Sequence, residues 1–324
     1  MQIGNLEIEG HAALAPMAGV ADRAFRELCL SYGAAFTVTE MVSSKALTMQ
    51  DKKSKELLAI TEKEHPCAAQ IFGDSPEIMA QAAVKATAFS PEFIDINMGC
   101  PAPKIAGNGG GSALLKNPEL IGRIVRSVKD AVNIPVTAKI RIGWDTDSIN
   151  AVEVAKICEY NGADAITVHG RTKNQMYAPP VNLDEIRKVK EAVSIPVIGN
   201  GDITDGKSAA EMLKRTGCDF LMVGRGSLGT PWVFSAINAY LEKGEILPEP
   251  DVEEKMRVML FHIKKLCEYK GEYIGMREAR KHSAWYIKGM RGAASFRQEI
   301  GTLESFEQLK KMATKIINSC RNSL

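Results

Sequence analysis

The sequence predicts an α/β protein, a (β/α)8 TIM barrel followed by a small all-helical C-terminal domain. Three observations predict it. Eight short apolar runs recur across the first 240 residues. The segments between them are amphipathic and open on helix-capping residues. A Pro- and Gly-containing stretch at 244–251 then breaks the alternation, and everything after it reads as continuous helix. This divides the chain into a barrel over 1–243 and a helical domain over 251–324.

The predicted strands are 11–15, 34–38, 67–71, 93–97, 136–140, 165–169, 197–200 and 220–224. Several are almost wholly apolar, as parallel strands covered by helices must be. Ser75-Pro76-Glu77, Asn117-Pro118-Glu119 and Thr230-Pro231 each place a capping residue before a proline at the first helical position. Val132-Asn133-Ile134-Pro135 and Val193-Ser194-Ile195-Pro196 stop the helices before the fifth and seventh strands and resemble each other, a trace of repetition. A doubly wound sheet is the competing architecture, but the chain has eight repeating units and no early GxGxxG.

With 324 residues, 45% hydrophobic and 25% charged, the composition is that of an ordinary globular protein and excludes collagen, coiled-coil and disordered classes. No apolar run spans a bilayer and the N-terminus lacks a signal-peptide pattern, so no membrane partner is expected. Seven widely spaced cysteines without a CxxC argue for a reducing cytoplasm and against a metal site. A monomer is expected. The net charge is +2, yet residues 277–297 carry six basic side chains (Arg277, Arg280, Lys281, Lys288, Arg291, Arg297) against Glu278 alone. Such a stripe suits a polyanion; a solvated helix face is the simpler alternative.

In a barrel, function sits where strands end and βα loops begin. Polar or glycine-rich junctions occur at Pro16-Met17-Ala18-Gly19, Gln70, Asp95 to Pro101, Lys139-Ile140-Arg141, His169-Gly170-Arg171-Thr172, Asn200-Gly201-Asp202 and Gly224-Arg225-Gly226. The last two follow the seventh and eighth strands, where barrels often bind phosphate. Gly201, Gly224 and Gly226 allow close backbone approach and Arg225 adds a forked donor, although plain tight turns remain the alternative. A lysine in a barrel mouth, Lys139, serves a Schiff base, an electron-accepting ring or a salt bridge. Cys100 lies in a loop, unlike the other cysteines, and suits an acid or a nucleophile. His169 ends its strand as a cofactor donor or as a satisfied core histidine. The glycine-rich 105–112 stretch reads as an active-site loop or a simple turn.

Taken together, these motifs resemble the tRNA-dihydrouridine synthases, most closely their bacterial B-type branch. Carrying the resemblance are Ala15-Pro16-Met17-Ala18-Gly19-Val20-Ala21-Asp22, Thr39-Glu40-Met41-Val42, Gln70-Ile71-Phe72-Gly73, Asp95 to Pro101, Lys139-Ile140-Arg141, His169 to Thr172, Asn200-Gly201-Asp202-Ile203, Gly224-Arg225-Gly226, Arg277 to His282 and Trp285 to Gly289. The resemblance implies an FMN enzyme that reduces tRNA uridines to 5,6-dihydrouridine with NADPH. It implies that Pro16, Met17 and Ala18 pack along the flavin and that Gln70 and Lys139 meet its polar edge. It puts His169 near the cofactor and Asn200, Gly201, Asp202, Gly224 and Arg225 at its phosphate. Cys100 matches the family's proton donor to uracil C5. Asn97 and Arg171 are expected to position the substrate, and Arg277, Arg280, Lys281, Lys288 and Arg291 to contact tRNA. The segment Tyr177-Ala178-Pro179-Pro180-Val181-Asn182 departs from the glycine-containing sequence of many relatives. Competing readings are a flavin reductase of a small molecule (dihydroorotate- or enoate-type), a Schiff-base aldolase at Lys139, and a non-catalytic tRNA-binding factor.

Overall fold

A computed structural model describes residues 1–321. The chain opens with an antiparallel hairpin, β1 (Gln2–Ile3) and β2 (Leu6–Glu7), turned at Gly4. The barrel strands follow as β3 (Ala12–Leu14), β4 (Thr37–Val38), β6 (Cys67–Phe72), β7 (Phe93–Met98), β8 (Val136–Arg141), β9 (Ala165–His169), β10 (Val197–Asn200) and β11 (Phe220–Val223); a short β5 (Val42–Ser43) adds to the edge of β6. All eight run parallel in the order β3-β11-β10-β9-β8-β7-β6-β4. The ring closes through two backbone bonds between β3 and the residues just before β4, Ala35 N–H to Ala12 O (2.8 Å) and Leu14 N–H to Phe36 O (3.0 Å). Each predicted strand is therefore present, within three residues at either end.

Helix α1 (Arg23–Ser31) covers the first unit, capped by the Asp22 carboxylate on Phe25 N–H. Two short helices, α2 (Ser44–Thr48) and α3 (Lys52–Leu58), stand in the second unit. Then come α4 (Pro76–Thr87), the one-turn α5 (Pro103–Ala106), α6 (Pro118–Ala131), α7 (Ala151–Tyr160), α8 (Leu183–Ala192), α9 (Gly206–Thr216) and α10 (Val233–Lys243). Ser75 and Asn117 cap α4 and α6 as predicted. Thr230 does not cap α10. Its hydroxyl donates to Gly226 O (2.6 Å) and the helix starts at Val233, because Thr230, Pro231 and Trp232 form a tight lead-in turn.

Inside the barrel, Phe36 packs edge-on to Phe93 (5.4 Å between centroids) and stacks on Phe220 (5.8 Å), and the hairpin's buried Ile3 joins this layer. The N-terminal end is thus plugged with apolar side chains, which leaves the strand C-termini as the open mouth. Beyond residues 244–251, four helices finish the described chain: α11 (Val252–Lys270), α12 (Glu272–Tyr286), α13 (Ala293–Ile300) and α14 (Phe306–Arg321). Their buried Met259, Leu266, Met276 and Tyr286 belong to the same apolar cluster as Phe25 and Leu28 of α1. No described helix is long and apolar enough to cross a membrane.

Candidate active site

A cavity of about 930 Å³ opens at the strand C-termini. The parallel register builds it, since Asn97 pairs with Lys139, Arg141 with His169, and His169 with Asn200. Pro16, Met17, Ala18, Gln70, Cys100, Lys139, His169, Asn200, Gly201, Asp202, Gly224 and Arg225 all line it, together with Asn97, Arg171 and Lys288.

The floor is a rigid polar network. Asp95 accepts from Gln70 Nε2 and from Thr137 Oγ1, each at 2.6 Å, and Asn97 Nδ2 donates to Gln70 Oε1 (2.9 Å). Burial pushes the Asp95 carboxyl up, against the pull of these two donors. Asn97 Oδ1 accepts from Cys100 N–H (2.9 Å) and Gly99 N–H (3.2 Å), so the side chain that ends β7 also shapes the turn carrying the cysteine. From the other side, Ser112 N–H and Oγ both donate to Cys100 O. The glycine-rich 105–112 stretch is thereby folded against the turn. Cys100 is a free, half-buried thiol. Burial raises its pKa, although Ala102 N–H, Arg141 and Lys139 all oppose that rise.

Lys139 Nζ donates to Asn200 Oδ1 (3.0 Å), and Asn200 Nδ2 in turn donates to Met222 O (2.7 Å). Burial, reinforced by Arg141, draws the Lys139 ammonium down to about 8. His169 is driven far below its ordinary range, first by burial and then by four surrounding cations, Lys139, Arg141, Arg171 and Arg225. It is therefore neutral, and its Nε2 lies 3.4 Å from Arg171 Nη1. Arg171, 1% exposed, pairs with Asp202 at 2.5 Å. Arg225 is more open, 3.5 Å from Asp202 and 4.8 Å from the Tyr177 ring centre.

Arg141 was not among the predicted site residues. It is 2% exposed and donates to Gly99 O, Thr172 O and Met176 O, and burial lowers it to about 10. The signal was the strand period, because residues two apart share a face and Arg141 follows Lys139 by two. Tyr177 and Trp285 also line the cavity. The remaining basic residues scatter. Arg277 and Arg291 are exposed, with Arg277 over the Tyr273 ring. Arg280 Nε donates to Leu303 O (3.0 Å), and the Lys281 ammonium is bonded to Gly19 O. Glu40 accepts from Gly19 N–H, so the loop after β3 is held from both sides. Among the described residues no cluster of three or more His, Cys, Asp or Glu side chains is arranged to hold a metal.

A family model described as "Dihydrouridine synthase (Dus)" matches residues 13–321. The chain belongs to the dihydrouridine synthase family. It is 46% identical over 305 residues to "tRNA-dihydrouridine synthase B" of Vibrio vulnificus (strain CMCP6), covering 94% of this chain and 95% of that one. A protein of the same name from Proteus vulgaris is 42% identical over 322 residues, covering 99% of this chain and all of its own. Against "tRNA-dihydrouridine synthase B" of Pseudomonas aeruginosa the identity is 41% over 304 residues, 94% of this chain and 92% of that one.

Proposed function

We propose that this protein uses FMN and NADPH to reduce uridines of tRNA to 5,6-dihydrouridine. The observation that carries this reading is Cys100, a half-buried thiol whose pKa burial raises, facing the same cavity as the half-buried Lys139. Family membership and the relatives' names point to the same reaction.

The residues fit a flavin. Pro16, Met17 and Ala18 line the cavity with apolar side chains, which suit the face of a flat ring system. At Gly224 a Cβ would make ordinary van der Waals contact with Ala15 Cβ (3.7 Å) and Met17 Sδ (3.9 Å), so the glycine keeps the backbone bare on the side of that lining. Arg225, Asn200, Gly201 and Asp202 gather at one end, where a forked cation and a turn of backbone N–H groups suit a phosphate. Gln70 and Lys139 face the middle, as donors to a ring's polar edge.

When bound, an FMN reduced by NADPH would supply the hydride for uracil C6. Every other part falls to the chain. As C6 is reduced, negative charge builds on the uracil toward O4, and the Cys100 thiol delivers its proton to C5. A thiol held above its ordinary pKa suits an acid at neutral pH better than a nucleophile. Lys139 keeps positive charge beside the electron-rich centre. His169, neutral and accepting at Nε2, has its Nδ1–H free to donate. Arg141 fixes Gly99 O and with it the Cys100 turn, while Asn97 and Arg171 position the base. A paired uridine cannot reach the bottom of a barrel mouth, so the target is turned out into it. We assign residues 1–243 to the flavin and 251–324 to tRNA, with Arg277, Lys288 and Arg291 as phosphate contacts, and place the reaction in the cytoplasm. Arg280 and Lys281 support that surface through their bonds to Leu303 and Gly19.

The test is anaerobic and optical. NADPH should bleach the flavin of the purified protein, and only tRNA lacking dihydrouridine should restore its colour. Recovery with orotate or an enoate, and none with tRNA, would assign the site to a small-molecule substrate instead.

A further inference from the structure

The loop after β8 carries an arrangement that the proposed chemistry does not use. Lys116 Nζ lies 3.5 Å from the centre of the Trp144 ring, and Lys173 Nζ lies 4.3 Å from the same centre. The two ammonium groups are therefore within about 8 Å of each other, inside a Debye length at physiological salt. Among the described residues neither lysine forms an ion pair, and Lys173 has only the neutral Asn174 Oδ1 at 3.2 Å. Asp145, whose carboxylate feels the Lys116 charge, is turned into its own loop by Ser148 Oγ (2.6 Å) and Asp147 N–H (3.2 Å). Lys116 is exposed, while Trp144 and Lys173 are half-buried.

The indole offsets part of the repulsion between the lysines, since a cation over a ring face is attracted by the ring quadrupole. It does not neutralise them. Two neighbouring ammonium groups that no carboxylate pairs, with Asp145 bonded within its own loop, present a site for an anion.

Its position in the fold says which anion. The eight strands form a closed ring in which β8 is four steps from β3 in either direction. The C-terminal helices touch the barrel beside β3 and β11, through Lys281 at Gly19 and Trp285 at Gly229. Trp144, which follows β8, thus stands on the opposite side of the barrel's C-terminal end. It is three residues beyond Arg141, and its carbonyl accepts from Asn174 N–H (2.9 Å) in the loop that carries Tyr177. A polyanion that contacts the basic helices and spans the mouth reaches this side.

We propose that Lys116, Trp144 and Lys173 form a phosphate clamp for the RNA backbone, opposite the helical domain. This deepens the tRNA reading and rests on it. Each lysine neutralises backbone phosphate, and the indole holds the two ammonium groups at fixed height.

The experiment measures tRNA binding to the flavin-loaded enzyme against salt for the wild type, Lys116→Ala/Lys173→Ala and Lys116→Arg/Lys173→Arg. Two lost phosphate contacts should reduce the slope of log K on log salt by roughly 1.5. The alanine variant should bind tRNA more weakly and keep the wild-type NADPH KM and rate of flavin reduction, and the arginine variant should restore the slope. An unchanged slope in the alanine variant, with wild-type tRNA binding intact, overturns the clamp alone. A raised NADPH KM with an unchanged slope gives the site to the reductant and likewise overturns it. Absence of tRNA binding by the wild type is the separate failure of the tRNA reading.

Discussion

Cys100 and Lys139 are the residues on which the proposed chemistry turns, and each makes its own prediction. Removing the acid should slow only the step that needs a proton at carbon. Cys100→Ala should lower dihydrouridine formation by about 10²- to 10⁴-fold, while flavin content and anaerobic bleaching by NADPH stay at wild-type level. Loss of the flavin in that variant would contradict a role confined to proton delivery. For Lys139 the prediction concerns pH. Burial holds its ammonium near about 8, so the positive charge is present at neutral pH and lost as pH rises through that value. Turnover should fall on the alkaline side with an apparent pKa from about 8 upward, and Lys139→Arg should move that limb to higher pH; an unmoved limb would assign it to another group. Single residues were legible in the sequence where a polar group interrupts an apolar strand, as at Gln70, Asn97 and His169. Arg141 was harder to see, because a basic residue at a strand end also suits a solvated rim. Only the fold shows its three carbonyl acceptors.

Elements were legible where local chemistry decides them. The proline-led caps at Ser75 and Asn117 and the apolar strand runs needed no tertiary context. Thr230-Pro231 carries the same signal and fails, because its hydroxyl is drawn to Gly226 O. The terminal hairpin was missed since its strands are two residues each, although Gly4-Asn5 is a turn signature. Docking of α11 and α12 on α1 depends on contacts far apart in sequence. Here His262 bonds Tyr286 Oη through Nδ1 (3.1 Å) and packs against His282 (4.8 Å) and Phe25 (5.2 Å), with Asp22 and Lys270 nearby. Burial draws His262 down to about 4 and His282 below its ordinary range. The unfolded chain binds these protons near pH 6.5 and the folded one does not. Stability from this cluster is therefore complete above that pH and lost as pH falls toward 4, by on the order of 3 kcal/mol for His262. Denaturant midpoints at pH 7.5 and 5 should show the loss, and His262→Phe should flatten it; equal midpoints in the wild type would refute the coupling. A second docking contact is backbone to backbone. Gly229 has φ of +69°, and a Cβ there would lie 2.4 Å from the Trp285 carbonyl carbon. Gly229→Ala should cost about 1–3 kcal/mol, read as a lower melting temperature; an unchanged one would show that the helices do not depend on this approach.

For the whole molecule, the sequence's alternation of apolar runs and capped segments foretold the barrel. What it could not show is how the basic stripe divides. Arg277 and Arg291 reach the surface, Lys288 reaches the cavity, and Arg280 and Lys281 bind protein carbonyls, a division set by how α12 and the turn after it lie against the barrel. The resulting molecule offers a deep, cation-lined mouth between basic helices and a basic rim, a shape suited to a nucleic acid that inserts one base. The most direct measurement of that claim is mass mapping of tRNA fragments from cells with and without this gene. A gain of two hydrogens on a uridine, present only with the gene and lost with the Cys100→Ala form, is the result predicted. The same uridine masses in both cells, with the flavin-loaded protein present, would contradict it.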